Sequence, residues 1–333
     1  MLKSDSNSDN KGPYFSIIIP LYNAENTLEK CLTAIFNSRY QNFEVLVVDD
    51  GSKDNSIKIA ESFPCKILKL THNQGPSVAR NWGAKNAKGH VLLFIDSDIV
   101  IKRDTLDLFV DSLKSYPAVF GIYTQKPGTD KLLTLYQNFY AHKSMKQTRD
   151  LTSVLYSYCV AIEKKVFDEV GGFDQSWVRA TFEDVEFGLR VTENGHQIYL
   201  NKNIEVVHYP NFDLKRFAKN YFYKSLDLSK FMFSRKKLTL NNEGWTNRNN
   251  LFSFLAGVSI IPFSVLCFFS GWFVLPLLIS MALFLTINSD FYRFILKEKP
   301  RGLLYAFLLN LMVQTVSGVG IFLGLASHAR KKV

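Results

Sequence analysis

Short apolar runs alternate with segments of helical period through the first hundred residues, and the runs predict the strands of a sheet. Phe15-Ser-Ile-Ile-Ile-Pro20 is a β-branched run closed by proline and reads as a first strand. After Asn23, residues Leu28, Cys31, Leu32, Ile35 and Phe36 recur at helical spacing. Phe43-Glu-Val-Leu-Val-Val48 is a second buried strand that runs into Asp49-Asp50-Gly51-Ser52. Asp54-Asn55-Ser56 can cap a helix reaching Phe63. Lys66 to Leu70 reads as a third, more exposed strand, Gly75 to Ala87 as a helix, and Val91 to Ile95 as a fourth strand. Strands separated by short helices predict an α/β fold, its central sheet mostly parallel and built from right-handed crossovers.

From Pro117 to Leu151 the pattern weakens to a loop at Lys126-Pro-Gly-Thr-Asp130 and an aromatic-rich helix from Leu132 to Met145. A strand at Tyr158 to Ile162 and a helix at Lys164 to Val170, stopped by Gly171-Gly172, follow. The next helix takes Phe182, Val185 and Leu189 as its buried face, with Glu183 and Asp184 in its first turn. Ile204 to Val207 is a last strand, ended by His208.

The remaining third has a different texture. Residues 211–250 mix aromatics with Lys and Arg, which suits an amphipathic helix in a lipid headgroup region. Leu251 to Ile287 contains no charge. As one helix it would be roughly 55 Å long against a hydrocarbon core of roughly 30 Å, so it should fold back at Ser270-Gly271. That gives membrane spans of about 251–269 and 271–288, and Leu303 to Ser327 is a third uncharged segment. Gly320-x-x-x-Gly324 would let another helix approach closely. The connection after the second span reads as a loop with Arg293, Lys297, Lys299 and Arg301, cytosolic by the positive-inside rule. A third span then puts the basic tail 328–333 on the other side, against that rule, unless the third segment is re-entrant.

The chain has 333 residues and a formal net charge of +10. With long uncharged stretches present, that charge points to anionic lipid rather than nucleic acid, and no nucleic-acid motif is visible. The four cysteines lack metal or disulfide spacing, which fits a reducing compartment. Residues 1–12 are polar, without the apolar core of a signal peptide, and are expected to be disordered. These features predict an integral membrane protein with its first two thirds cytoplasmic.

The polar residues that follow the strands carry the candidate chemistry. Asp49 and Asp50 follow strand two, Asn73 strand three, and Asp96 and Asp98 strand four. All would gather along the edge of an open α/β sheet where ligands bind. Four carboxylates on one edge repel each other unless a cation or donor groups intervene, and Asp-x-Asp suits a hard cation such as Mg²⁺ or Mn²⁺.

Ser16-Ile-Ile-Ile-Pro-Leu-Tyr-Asn23, Val47-Val-Asp-Asp-Gly-Ser52, Asn73-x-Gly-x-x-x-Ala-Arg-Asn81 and Phe94-Ile-Asp-Ser-Asp98 together resemble the ordered signature of family 2 glycosyltransferases with the GT-A fold. The resemblance continues through Gly172-Phe-Asp174 and Glu183-Asp-Val-Glu-Phe-Gly-Leu-Arg190 to Val207-His208. It implies a nucleotide-sugar-binding domain over 13–210 and an inverting transfer from a nucleotide diphosphate sugar with Mg²⁺ or Mn²⁺. It also implies donor-binding roles for Pro20, Tyr22, Asp49, Asp50, Asn73, Arg80 and Asp96, with Arg80 at the diphosphate. The metal would fall to Asp98 and Asp96, joined by His208 as in some relatives. Asp184 would be the general base with Glu183 beside it. Against this, Thr181-x-x-Asp184 also has the form of a capping box.

A base beside the site favours a hydroxyl acceptor on a lipid-linked or membrane-associated glycan. A polyprenyl-phosphate acceptor would already be ionised and need no base. No Gln-x-x-Arg-Trp follows the acidic pair, which favours transfer of a single sugar over polymerisation. A non-catalytic membrane scaffold that keeps the fold is the remaining alternative, and the intact carboxylate set speaks against it.

Overall fold

The structure, a computed structural model, describes residues 12–177, 179, 181–211, 213–234 and 248–329. The expected disordered start (residues 1–11), part of the amphipathic segment (235–247) and the end of the basic tail (330–333) lie outside the described residues. The chain divides into two compact units. One comprises residues 1–122 and 150–207, the other 123–149 and 208–333.

In the first unit, β1 (Phe15–Leu21), β2 (Phe43–Asp49), β3 (Lys66–Lys69) and β4 (Val91–Ile95) form the parallel part of the sheet. Helices α1 (Leu28–Phe36), α2 (Ser56–Glu61) and α3 (Pro76–Asn86) connect them. Further on come β5 (Ile99–Val100), α4 (Thr105–Leu113) and β6 (Ala118–Tyr123), and, after α5 (Leu132–Gln147), β7 (Leu151–Thr152), β8 (Cys159–Glu163), α6 (Lys164–Val170), α7 (Glu183–Glu193) and β9 (Ile198–His208). The strand order is β3-β2-β1-β4-β8-β6-β9-β5, with β7 paired to β9. Strand β8 runs antiparallel to both β4 and β6, so the sheet is mixed. Strand β4 is wholly apolar and buried, and β1 and β2 are largely so, as expected of strands covered on both faces.

The sequence pattern locates the early strands and helices to within two residues. It misses β6 in the weak stretch after Pro117 and shortens β9, which begins at Ile198. The face expected to be buried on α7 is also corrected. Glu183, Glu186, Phe187, Gly188 and Val191 are buried, while Val185 and Leu189 are only half-buried. Two carboxylates point inward because each meets an arginine, a pairing that apolar periodicity cannot register.

The second unit is helical. Besides α5 it holds α8 (Leu214–Ser234), α9 (Arg248–Leu266), α10 (Val274–Ile287), α11 (Ser289–Glu298) and α12 (Leu303–Ala329). The break between α9 and α10 falls at Ser270, whose hydroxyl accepts from the Trp272 amide. The connection expected as a charged loop is instead the amphipathic helix α11, with Phe291 and Ile295 fully buried one turn apart. They pack with Phe139, Phe217, Leu309 and Val313. Asn310, in the middle of apolar α12, is fully buried and satisfied. It accepts from the Tyr136 hydroxyl (2.9 Å) and donates to the Tyr140 and Tyr292 hydroxyls (3.2 and 3.3 Å). By length and composition Pro300–Ser327 is the one described unbroken helix fit to cross a membrane, and the bent pair Gly271–Ile287 with Ser289–Glu298 qualifies if taken as one span.

Candidate active site

The parallel register brings Leu21 opposite Asp49 and Ile18 opposite Phe94, so the chain leaves β1, β2 and β4 at one edge. Antiparallel β8 starts at that edge, with Cys159 opposite Ile95, and the amide of Asp96 donates to the Tyr158 carbonyl at 3.1 Å. The loop before β8 thereby reaches the carboxylates, which the sequence pattern does not reveal.

Arg80 is the centre of the site. Its side chain is 3% exposed, so it is no solvated face. Nη2 donates to Asp96 Oδ1 at 2.9 Å and Nη1 to Glu183 Oε1 at 3.3 Å, and Glu183 is also 3% exposed. The guanidinium lies 5.4 Å from the centre of the Phe173 ring. Burial alone would lower its pKa, but the carboxylates of Asp96, Glu183 and Asp184 outweigh that and raise it. Arg80 thus ties the end of β4 to the start of α7. Glu183 Oε2 and Arg80 Nε are buried without a hydrogen-bond partner among the described residues.

Helix α7 starts at Glu183 with Phe182 at the N-cap position, so Thr181 does not occupy the cap that the Thr181-x-x-Asp184 pattern suggests. Asp184 is half-buried. Its Oδ1 accepts from the Val185 amide at 2.8 Å and its Oδ2 from the Ser157 amide at 3.4 Å. Desolvation first, then the Asp184 carboxylate, push up the pKa of the neighbouring Tyr156 phenol.

Two side chains hold the turn that carries Phe173. Helix α6 ends at Gly171, and Gly171 and Gly172 both have positive φ (86° and 68°), a conformation that favours glycine. Asn81 pairs with the backbone of Phe173 in both directions, accepting from its amide at 2.9 Å and donating to its carbonyl at 2.8 Å. From the other side Arg190 donates to the carbonyls of Val170 and Gly172, both at 2.7 Å, while its fork grips Glu186 at 2.6 and 2.8 Å. Asn81 and Arg190 close two of the motifs quoted above, yet spacing alone gives them no role. A cleft of about 460 Å³ opens beside this turn, lined in part by Asn81, Asp174 and Gln175.

The other expected residues fall as follows. Asp49 is buried at the end of β2, and its Oδ1 accepts from the Ser52 amide at 3.1 Å. Asp50 is buried and accepts from the amides of Gln74 and Gly75 (2.7 and 2.8 Å), fixing the loop that leads into α3. Its pKa is raised, chiefly by desolvation, against the pull of those two amides. Pro20 lies within β1, Tyr22 just past it is exposed, and Asn73 is exposed on the loop after β3. Asp98 is half-buried two residues beyond Asp96. Beneath them the buried Cys31 thiol donates to the Asp96 carbonyl at 3.7 Å. Burial, then Asp98 and Asp96, push its pKa up. His208 ends β9 in the second unit, its ring stacked on Tyr123 at 4.6 Å.

Among the described residues no three His, Cys, Asp or Glu side chains converge to hold a metal ion by themselves. With Asp96 partly engaged by Arg80, a divalent ion at Asp98 would take few protein ligands and draw the rest from phosphate and water. That fits a hard cation such as Mg²⁺, and Mn²⁺ shares the preference for oxygen ligands.

Residues 16–171 match the family described as Glycosyl transferase family 2. Among curated proteins the chain is 29% identical over 194 residues to Glycosyltransferase GlyA of Streptococcus pneumoniae serotype 4, covering 57% of this chain and 27% of that one. It is likewise 29% identical over 196 residues to Glycosyltransferase AglE of Haloferax volcanii, covering 56% and 64%. The chain therefore spans less than two thirds of the length of these relatives. Among solved structures it resembles the mannosyltransferase PcManGT from Pyrobaculum calidifontis, determined in complex with GDP-Man and Mn²⁺. The TM-score is 0.63 at 18% identity, over 94% of this chain and 88% of that one. An identity that low carries the fold alone. Residues 16–171 thus match the glycosyl transferase family 2 model, within a GT-A-like α/β fold with a mixed, mostly parallel sheet.

Proposed function

We propose that this protein is an inverting glycosyltransferase that moves a sugar from a nucleotide diphosphate donor to a hydroxyl of a lipid-linked or membrane-associated glycan. The observation that carries this reading is the buried Arg80 bridge between Asp96 and Glu183, which sets Asp184 beside the carboxylates at the ligand-binding edge of the sheet. In the reaction the acceptor oxygen bonds to the anomeric carbon as the bond from that carbon to the donor diphosphate breaks. Asp184 receives the hydroxyl proton, and the nucleoside diphosphate leaves with the bonding electron pair. Pro20 and Asp49 serve the nucleotide end of the donor. Asp98, with Asp96, would hold a divalent cation, which supplies charge neutralisation at the leaving diphosphate. Arg80 fixes Asp96 and Glu183 so that neither drifts when donor binds.

The uncharged stretches of the second unit and its exposed aromatic residues support attachment to a membrane. The test is transfer by detergent-purified protein presented with a panel of nucleotide diphosphate sugars. One of them is expected to protect the protein thermally and turn over. Chelator and Asp98→Ala are both expected to abolish turnover without unfolding the chain. Full activity in chelator would remove the cation from this reading, and failure of every donor to bind would remove the transferase itself.

A further inference from the structure

Helix α8 packs along α12, and the two backbones come closest at the small residues of Gly320-x-x-x-Gly324. A Cβ on Gly320 would lie 2.6 Å from the Phe222 carbonyl oxygen, and one on Gly324 would collide with the Ser229 hydroxyl. Toward the start of both helices, Phe217 and Tyr221 share a cluster with Leu309 and Val313. The two helices therefore run in the same direction, side by side, from about Leu309 to Gly324.

In that shared stretch α8 carries Lys219, Lys224 and Asp227, with Lys230 one residue past Ser229. If α12 crossed the hydrocarbon, these ionisable side chains would sit at bilayer depth, where they are costly. The outward face of α12 is nevertheless apolar, with Leu304, Leu308, Val319 and Phe322 exposed. An apolar face beside a cationic helix suits the plane of the interface better than a path across it.

The α9–α10 hairpin has a different character. Its arms are joined by a hydrogen bond between Ser259 and Ser280 at 2.9 Å. Residues 251–287 carry no charge. The tip presents Phe268, Phe269 and Trp272 at 89, 81 and 88% exposure. Helix α12 meets the hairpin away from that tip, with Gln314 against Gly257 and Gly318 close to Val258.

We infer that the α9–α10 hairpin is the segment that enters the bilayer, while α12 lies with α8 at the membrane surface, so that the chain leaves α12 on the side where α8 begins. The inference rests on the membrane attachment proposed above. Whether the hairpin spans fully or turns back inside the bilayer, it returns to the side it left. Lys215, Arg216, Arg293, Lys297, Arg330, Lys331 and Lys332 then all share one side, as the positive-inside rule requires.

The test uses the full chain in bacterial inner membranes, with Cys65→Ser and Cys267→Ser as background. Lys215→Cys at the exposed start of α8 and Val333→Cys after α12, made separately, are probed with a membrane-impermeant maleimide in spheroplasts and in inside-out vesicles. Both are expected to label in the same preparation; labelling in opposite preparations would show that α12 crosses and overturn the inference. A nitrobenzoxadiazole probe at Leu278→Cys is expected to be quenched by lipids carrying a doxyl group on the acyl chain, and an unquenched probe in water would overturn the hairpin's part. Alkaline carbonate washing of the same membranes keeps the two proposals apart. Release of the protein defeats membrane attachment itself, whereas retention with opposite-side labelling defeats only this topology.

Discussion

Arg80 shows how one residue couples stability to the arrangement of the site. Removing one partner of a buried ion pair leaves an uncompensated charge and typically costs about 3–5 kcal/mol. Arg80→Met is therefore expected to lower the urea-unfolding free energy by roughly that amount, because Glu183 would stay buried and charged. Adding Glu183→Gln should recover part of the loss; no recovery would mean that Glu183 is not the group left unpaired. Asp184 calls for a different experiment. Asp184→Asn keeps the shape and the acceptor oxygen but loses the proton acceptor, so turnover should fall by roughly 10² to 10⁴. Donor affinity and melting temperature should hardly move. Normal turnover in this variant would favour an acceptor that is already ionised, such as a polyprenyl phosphate. Asp96 was legible in sequence because a carboxylate cannot end a buried strand without a reason, whereas Arg80, Glu183 and Asp184 were singled out by the family resemblance. Their partners were not: nothing in the spacing says that Arg80 turns inward, since that depends on Glu183 lying 103 residues away.

At the scale of elements, the parallel strands were legible because burial on both faces leaves continuous apolar runs. Helix α7 was misread for the same kind of reason: inward-facing Glu183 and Glu186 look polar and outward until their arginines are seen. Helix α11 was read as a loop because its charges drew attention from Phe291 and Ile295. The turn at Gly171 to Phe173 is held by Asn81 on one side and Arg190 on the other. Asn81→Ala removes both hydrogen bonds to Phe173 and leaves its amide and carbonyl to find new partners. An unsatisfied buried group costs about 1–3 kcal/mol, so a loss of that size is expected in chemical denaturation, with transfer weakened as Phe173 loosens beneath Arg80. A stability matching the parent would show that Arg190 alone suffices. Between α8 and α12 the glycines fix the spacing. Gly324→Leu should destabilise the helix pair by about 1–3 kcal/mol, the usual cost of overpacking, and raise amide exchange in α8.

At the scale of the molecule, the first unit is assembled from two separate stretches of chain, residues 1–122 and 150–207. The match to the family, by contrast, ends at residue 171, before Glu183, Asp184 and β9. Antiparallel β8 sits between β4 and β6, although it is made after both. On the ribosome, β4 therefore emerges with one edge unpaired, and an unpaired apolar strand edge is a template for aggregation. Arg80 waits longer still for its second carboxylate. The interval between the appearance of Val91 and that of Glu193 is the period in which a nascent chain is most exposed to mispairing, and the one in which a chaperone would have most to shield. A fragment ending at residue 171 should accordingly lack a cooperative unfolding transition, whereas the full chain should show one. That outcome would set the boundary of the recognisable family segment apart from the boundary of the folding unit.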